Sequence, residues 1–315
     1  MYRITFVSDL HASRKCYLKL LNSVNYYRSD VLIAGADITG KFLVPVVKGA
    51  DGYTYTYRGN RNTVSEEKLQ VTLDALRGDG IYTAVVSQEE FDELSHDHSK
   101  VDGLFLESMK NTLTEWAELA RQRLAGKNLQ LILNFGNDDR MELDAFARTI
   151  ENDYFVFSED RKFTLGNEYT MVSTGYANIT PWNAPRDISE DELEKKIDEK
   201  VSDIRDFEKV IFNFHCPPFD TVLDKAPRLG ADNKPIATGG HMQMESVGST
   251  AVRKALEKYQ PLLGLHGHIH ESRGFTRIGR TVCLNPGSEY HNGVLKLCVI
   301  TLDGSKVKDH IFLDG

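Results

Sequence analysis

The chain has 315 residues, 41% hydrophobic and 27% charged, with a formal net charge of −8. That length and composition suit a globular protein with a full core, as one large domain or two small ones. The acidic balance argues against broad nonspecific nucleic-acid binding, and no apolar run reaches the ~18 residues of a membrane span. Cys16, Cys216, Cys283 and Cys298 are far apart and form no C-x-x-C pair, as expected of reduced, buried small side chains. The opening run MYRITFVSDLH meets charge at residue 9, too short and interrupted for a signal peptide, so the expected compartment is the cytoplasm.

In chain order, RITFVSDLH places Asp9 and His11 after an apolar run, and residues 15–27 have helical spacing of Leu and Tyr. DVLIAGAD then brings Asp37 after a second apolar run. Residues 42–126 break the rhythm: 53–62 read as alternating or loop-like, and 86–125 as helical with charges throughout. This segment is expected to be an insertion, a lid or a substrate-selecting subdomain, within a single domain spanning 1–315. NLQLILNFGND delivers Asn137, and residues 154–174 read as three short antiparallel strands. Leu193, Ile197, Val201 and Ile204 mark one face of a helix over 189–208, opened by a Ser189/Glu192 capping box. KVIFNFHCPP delivers His215, and 249–259 is a second helix with Val252, Ala255, Leu256 and Tyr259 on one face. PLLGLHGHIH places His266, His268 and His270, and the tail forms a hairpin about Asp303-Gly304.

Short, fully apolar runs alternating with helices imply a mostly parallel sheet covered on both faces, with a second sheet packed on it. Ligands of such sheets sit at the carboxyl ends of the strands. The chemistry-bearing residues Asp9, His11, Asp37, Asn137, His215, His268 and His270 would gather there. Each motif alone has an ordinary structural explanation: D-x-H by chance, Asn-Asp as a turn, G-H-x-H as exposed histidines in a loop. Their joint occurrence after successive apolar runs points instead to a metal-ligand set of carboxylates, imidazoles and one amide oxygen. Seven ligands exceed the need of one ion and suit two divalent ions ~3.5–4 Å apart that share a carboxylate.

The order D9-x-H11, G35-A-D37, G136-N137-D138-D139, H215 and G267-H268-x-H270, with NPGS at 285–288, resembles the calcineurin-like metallophosphoesterase superfamily. The resemblance covers 1–41 and about 127–290. It implies an α/β fold, a four-layer αββα sandwich of two mixed sheets flanked by helices. It also implies one metal on Asp9, His11, Asp37 and His270, and a second on Asp37, Asn137, His215 and His268. Manganese leads as the metal, with iron, zinc or nickel as alternatives. A metal-bridging hydroxide would hydrolyse a phosphodiester, phosphomonoester or pyrophosphate. The implied partner is a phosphate-ester small molecule or a nucleotide, with nucleic acid less favoured and no membrane. The rival readings are a metal-binding scaffold or interaction protein on the same fold with weak or no catalysis, and a nuclease working with partner subunits.

This sequence departs from the family pattern twice. Ala36 stands where Gly is usual, and Asp138 replaces the His of G-N-H-[DE], a candidate proton donor near the leaving group. An ionised aspartate cannot donate a proton, and it repels phosphate. Three outcomes are open: a leaving group that needs little protonation, a proton supplied by His241 in TGGHMQMES, or lost catalysis in a protein that only binds. The similar UDP-diacylglucosamine hydrolases carry Arg at this position, and Arg140 lies two residues further on as a phosphate contact or a solvated charge. Tyr176 and Trp182 are candidates either to wall the cleft and stack on a base or aryl group or to pack in the core, and Asp139 to orient its neighbours or cap the next helix. Asn285 and Ser288 read as a structural turn, and His96 and His98 as a solvated helix face.

Overall fold

In the computed structural model, which describes residues Met1–Gly315, the first unit is β1 (Tyr2–Val7), α1 (Arg14–Tyr27) and β2 (Val31–Ala34). Ser13 caps α1 by accepting from the Cys16 N–H. A second set follows: β3 (Phe42–Gly49), β4 (Gly52–Tyr57), β5 (Asn60–Val64), α2 (Glu66–Gly78), β6 (Ile81–Val86), α3 (Gln88–His96) and α4 (His98–Leu124). Of the two readings of 53–62, the alternating one holds: the segment is a hairpin, because Arg58 and Gly59 both adopt positive φ and turn the chain tightly between β4 and β5. The helical stretch over 86–125 breaks at Asp97, which ends α3 and caps α4.

The chain continues through β7 (Leu131–Leu133), α5 (Leu143–Ile150), β8 (Phe155–Phe157), β9 (Lys162–Leu165), β10 (Tyr169–Thr174), β11 (Ala177–Asn178), β12 (Asp187–Ile188) and α6 (Glu190–Val201). Here two expectations change. β8 is parallel to β7, because α5 makes the crossover between them, so only β9 and β10 form an antiparallel pair. The helix with the Ser189/Glu192 capping box stops at Val201, and Ile204 reaches the same apolar cluster from a turn. Then come β13 (Val210–Phe214), β14 (Lys225–Pro227), β15 (Ala237–Thr238), β16 (His241–Met242), β17 (Met244–Ser246) and α7 (Thr250–Tyr259). The last strands are β18 (Leu263–Leu265), β19 (Gly274–Ile278), β20 (Thr281–Asn285), β21 (Lys296–Asp303) and β22 (Lys306–Asp314).

Two six-stranded mixed sheets result, ordered β22-β21-β1-β2-β7-β8 and β19-β20-β18-β13-β10-β9. Strand residues alternate between faces, and here both faces are apolar. Ile4, Phe6, Ile33 and Ile132 of the first sheet meet Met171, Ile211, Leu265 and Leu284 of the second. The opposite face of the first sheet, with Leu32, Ala34, Leu131 and Leu133, is covered by α1, α4 and α5. That of the second, with Val172, Val210, Phe212 and Phe214, is covered by α6 and α7. The architecture is therefore an α/β sandwich of four layers. Strands β3–β6 form a separate four-stranded sheet beside it. The C-terminal half of α4 is part of the sandwich itself: Trp116 is fully buried and stacks on Tyr17 with ring centroids 3.9 Å apart. The four cysteines are free and buried, and no helix is long and apolar enough to cross a membrane.

Candidate metal centre

The carboxyl ends of the parallel strands from both sheets meet at one edge of the sandwich. Asp9 and His11 follow β1, Asp37 follows β2, Asn137 follows β7, His215 follows β13, and His268 and His270 follow β18. Four of these residues have left-handed backbones: Asp9 at φ 56, His11 at 41, Asp37 at 50 and His268 at 67. Such conformations are costly for non-glycine residues and cluster at functional sites. Close approach of the loops also requires glycine. A Cβ on Gly136 would lie 2.0 Å from an Asp37 carboxylate oxygen, and one on Gly267 would lie 2.4 Å from Asp9 Oδ2.

All seven side chains converge, in two sets that share Asp37. In the first, His270 Nε2 is 3.3 Å from Asp9 Oδ1, and His11 Nε2 is 3.3 Å from His270 Nε2 and 3.6 Å from Asp37 Oδ2. In the second, His215 Nε2 is 3.3 Å from Asp37 Oδ2, and both His215 Nε2 and His268 Nδ1 are 3.0 Å from Asn137 Oδ1. Asn137 is oriented by its own amide, which donates to Asp187 at 3.0 Å and leaves the oxygen facing the imidazoles.

The electrostatics suit cations. His11 Nδ1 lies 3.3 Å from the Thr39 carbonyl, which fixes the tautomer with the lone pair on Nε2. Burial, reinforced by the positive charge of Lys41, holds this ring well below the usual imidazole range. A neutral Nε2 lone pair thus faces the Asp37 carboxylate, an acceptor toward an acceptor, and lies beside the His270 ring. Burial lowers His268 to about 3. It also raises Asp37 above the usual carboxylate range. Burial opposes charge on His215 too, but the Asp37 carboxylate overrides it and pushes the imidazole up to about 9. These buried Asp/His clusters have the composition and spacing to hold metal ions.

Asp139 organises the loops rather than capping a helix. Its carboxylate accepts from the Ile38, Thr39 and Gly136 N–H groups and from the Thr39 hydroxyl, at 2.5–3.0 Å. Helix α5 begins after Glu142 without a side-chain cap. Asn285 and Ser288 are structural, as expected, and they also hold ligand loops: Asn285 donates to the Gly267 and Ile269 carbonyls, and Ser288 to that of Asp9. His266 is buried, with Nδ1 2.8 Å from the Phe214 carbonyl. His96 and His98 are exposed on the outer helices.

The structure does not bring His241 to the cluster. It is exposed in the β15–β16 hairpin, whose polar sequence and Gly239-Gly240 turn leave it facing solvent. Asp138 does face the site, with a carboxylate oxygen within 4.8 Å of ligand atoms of His11 and Asp37. Three residues went unnoticed in the sequence. Lys41 places its ammonium 2.5 Å from Asp138. Arg186, fully buried, donates to the Asp139 and Arg140 carbonyls and to Asp144, clamping the turn that carries Asn137. Buried Glu159 accepts from Asn134, Gly175 and Lys200 beneath the same edge. No short motif signals any of them, because each meets its partner only through the fold.

The centre lies at the floor of a cleft of about 1340 Å³. Segment 42–126 supplies part of its wall through Phe42, Asp102, Phe105 and Met109. Of the two aromatic candidates, Trp182 lines the cleft while Tyr176 packs against the α6–α7 side of the core. Arg140 also lines it, bound by Asp102 at 3.3 Å and Glu142 at 2.8 Å.

No family model matches the chain. The uncharacterized protein MJ1162 of Methanocaldococcus jannaschii is 29% identical over 134 residues, 42% of this chain and 54% of that protein. The similarity thus spans about half the length of that relative. Among solved structures, TT1561 of Thermus thermophilus superposes with a TM-score of 0.54 at 11% identity, covering 99% of this chain and 98% of that one. A further crystal structure gives a TM-score of 0.56 at 14% identity, with 99% and 98% coverage. These two likenesses concern the fold alone. An archaeal phosphodiesterase structure superposes only loosely, with a TM-score of 0.38 at 12% identity.

Proposed function

We propose that this chain is a metal-dependent phosphoesterase with a two-ion centre, manganese being the leading metal. What carries the reading is the convergence of two donor sets on one shared carboxylate, Asp37, at the strand ends. In it, Asp9, His11, Asp37 and His270 hold one ion, and Asp37, Asn137, His215 and His268 the other. Bound there, two divalent ions acidify a water and neutralise phosphate oxygens.

The rest falls to the chain's own residues. The cleft partly shields the reacting phosphate from bulk water, and the donor sets fix its position at the floor. Asp138, paired with Lys41, does not deliver a proton to a leaving group. This favours leaving groups that depart as stable anions, such as a phenolate or a nucleotide phosphate, so a phosphodiester or nucleotide-like ester is the leading substrate. Exposed Trp182 and Ile179 offer an apolar surface for its organic part. Segment 42–126, which lends the cleft its α4 wall, acts in this reading as the substrate-selecting part. The cleft also carries Asp102, Glu142, Glu245 and Glu271, and of its two cations Lys41 is paired with Asp138 at the floor while Arg140 is bound by Asp102 and Glu142. That acidic rim weighs against the nuclease reading, because a nucleic-acid backbone needs cations along its path.

The test is turnover of bis-p-nitrophenyl phosphate and p-nitrophenyl phosphate by protein stripped of metal and reloaded with Mn²⁺, beside His215→Ala. Manganese-dependent hydrolysis that disappears in the variant is expected. Absent turnover on both esters, with two ions bound, would refute the proposal for this substrate class.

A further inference from the structure

We propose that Lys41, held by Asp138, is the residue that binds the phosphoryl oxygens of the substrate. The inference rests on the phosphoesterase reading and adds the protein cation that this site uses.

The position of Lys41 is built rather than incidental. It follows directly on the Asp37 loop, whose Ile38 and Thr39 N–H groups are pinned by buried Asp139, and the next N–H, that of Gly40, donates to the Tyr82 hydroxyl at 2.9 Å. The lysine backbone is therefore fixed against the loop that carries the shared carboxylate. Its ammonium lies 2.5 Å from Asp138 Oδ2, and Asp138 lies within 4.8 Å of ligand atoms of His11 and Asp37. The side chains of the pair are 35% and 26% exposed, and both line the cleft, so a ligand can reach them.

Charge and donor capacity point the same way. Lys41 and Arg140 are the lysine and arginine lining the cleft, and Arg140 is engaged by Asp102 and Glu142. An ammonium has three donor hydrogens, and that of Lys41 has one protein partner, Asp138. The remaining donors are available to an anion beside the ligand cluster. The pair also answers the repulsion that Asp138 alone would exert on phosphate: the lysine cancels the charge, and the aspartate in turn holds the flexible lysine stem in place. Lys41 is thus a binding and positioning group, donating hydrogen bonds without giving up a proton.

The test uses full-length protein loaded with two equivalents of Mn²⁺ and freed of excess metal. Binding of inorganic phosphate is measured by calorimetry, and hydrolysis of bis-p-nitrophenyl phosphate gives KM and kcat. Lys41→Met should weaken phosphate binding by about 10- to 100-fold and raise KM more than it lowers kcat. Lys41→Arg should restore most of the affinity. The double variant Lys41→Met/Asp138→Asn separates contact from shielding: it should recover part of the loss, yet bind phosphate several-fold more weakly than wild type. A double variant that binds as tightly as wild type would overturn the inference, since Lys41 would then only cancel Asp138. So would a Lys41→Met protein that has lost its manganese, because the lysine would then be supporting the ligands. Wild-type protein that keeps two Mn²⁺ ions but neither binds phosphate nor hydrolyses the ester overturns this inference together with the function on which it rests.

Discussion

Asp37 and Trp182 line the same cleft, yet one is 1% exposed and the other 69%. The floor around Asp37 is made of strand ends, left-handed backbones and buried polar side chains. The wall around Trp182 is loop and helix surface, with Ile179, Met141 and Phe42 also exposed. A floor of this kind tolerates almost no change in shape, whereas the wall can vary without disturbing the fold. On the proposed function, chemistry and selectivity would thus fall to separate parts of the molecule, a rigid core edge and an adaptable rim.

The largest test of that division is Asp37→Asn. Removing the carboxylate shared by both donor sets should reduce bound Mn²⁺ below two per chain and cut kcat/KM on bis-p-nitrophenyl phosphate by about 10³-fold or more. Metal analysis and steady-state kinetics measure both effects.

Next comes Asp139→Ala, which leaves the Ile38, Thr39 and Gly136 N–H groups without their acceptor. Urea unfolding of the metal-stripped variant should show a loss of about 3 kcal/mol. An unchanged midpoint would mean that the floor is not held from below.

A pH dependence follows from His215, raised from 6.5 to about 9 beside Asp37. Its protonated form stabilises the metal-free fold fully below pH 6.5, and that contribution is lost as pH rises through about 9. A metal ion must displace the same proton, so Mn²⁺ affinity should climb about tenfold per pH unit across this window while the metal-free protein becomes less stable. Calorimetry in buffers of different ionisation enthalpy would detect the released proton.

The smallest effect belongs to the wall. Trp182→Ala should raise KM for the aryl diester by about 3- to 10-fold, with kcat nearly unchanged and stability within about 0.5 kcal/mol of wild type. A collapse of kcat would show that the wall takes part in the chemistry and would dissolve the comparison.

Much of the floor was legible in the sequence because strand ends announce themselves. Apolar runs such as those before Asp37 and His215 are strands buried on both faces, and the chemistry-bearing residues follow closely on them. What stayed hidden depends on long-range pairing. The Lys41–Asp138 pair and the Arg186 clamp join segments far apart in sequence and leave no local pattern. His241 misled for the converse reason, since a Gly-rich loop reads alike whether it folds over a site or out into solvent. At residues 154–157 the apolar pattern marked a strand but could not show its direction, which the α5 crossover sets. Likewise Ile204 kept helical spacing although the helix had already ended, because a turn can fill the same apolar gap.

His11 and His270 touch across a separation of 259 positions. During translation, at ~5–20 residues per second, the ribosome therefore spends on the order of tens of seconds between making one and making the other. Neither donor set is complete until His268 and His270 have emerged, so a nascent chain holds only fragments of each. On the proposed function, metal would consequently be acquired late in the life of the protein, with closure of the finished sandwich. The choice among metals would then fall to a folded pocket, with no part for the growing peptide.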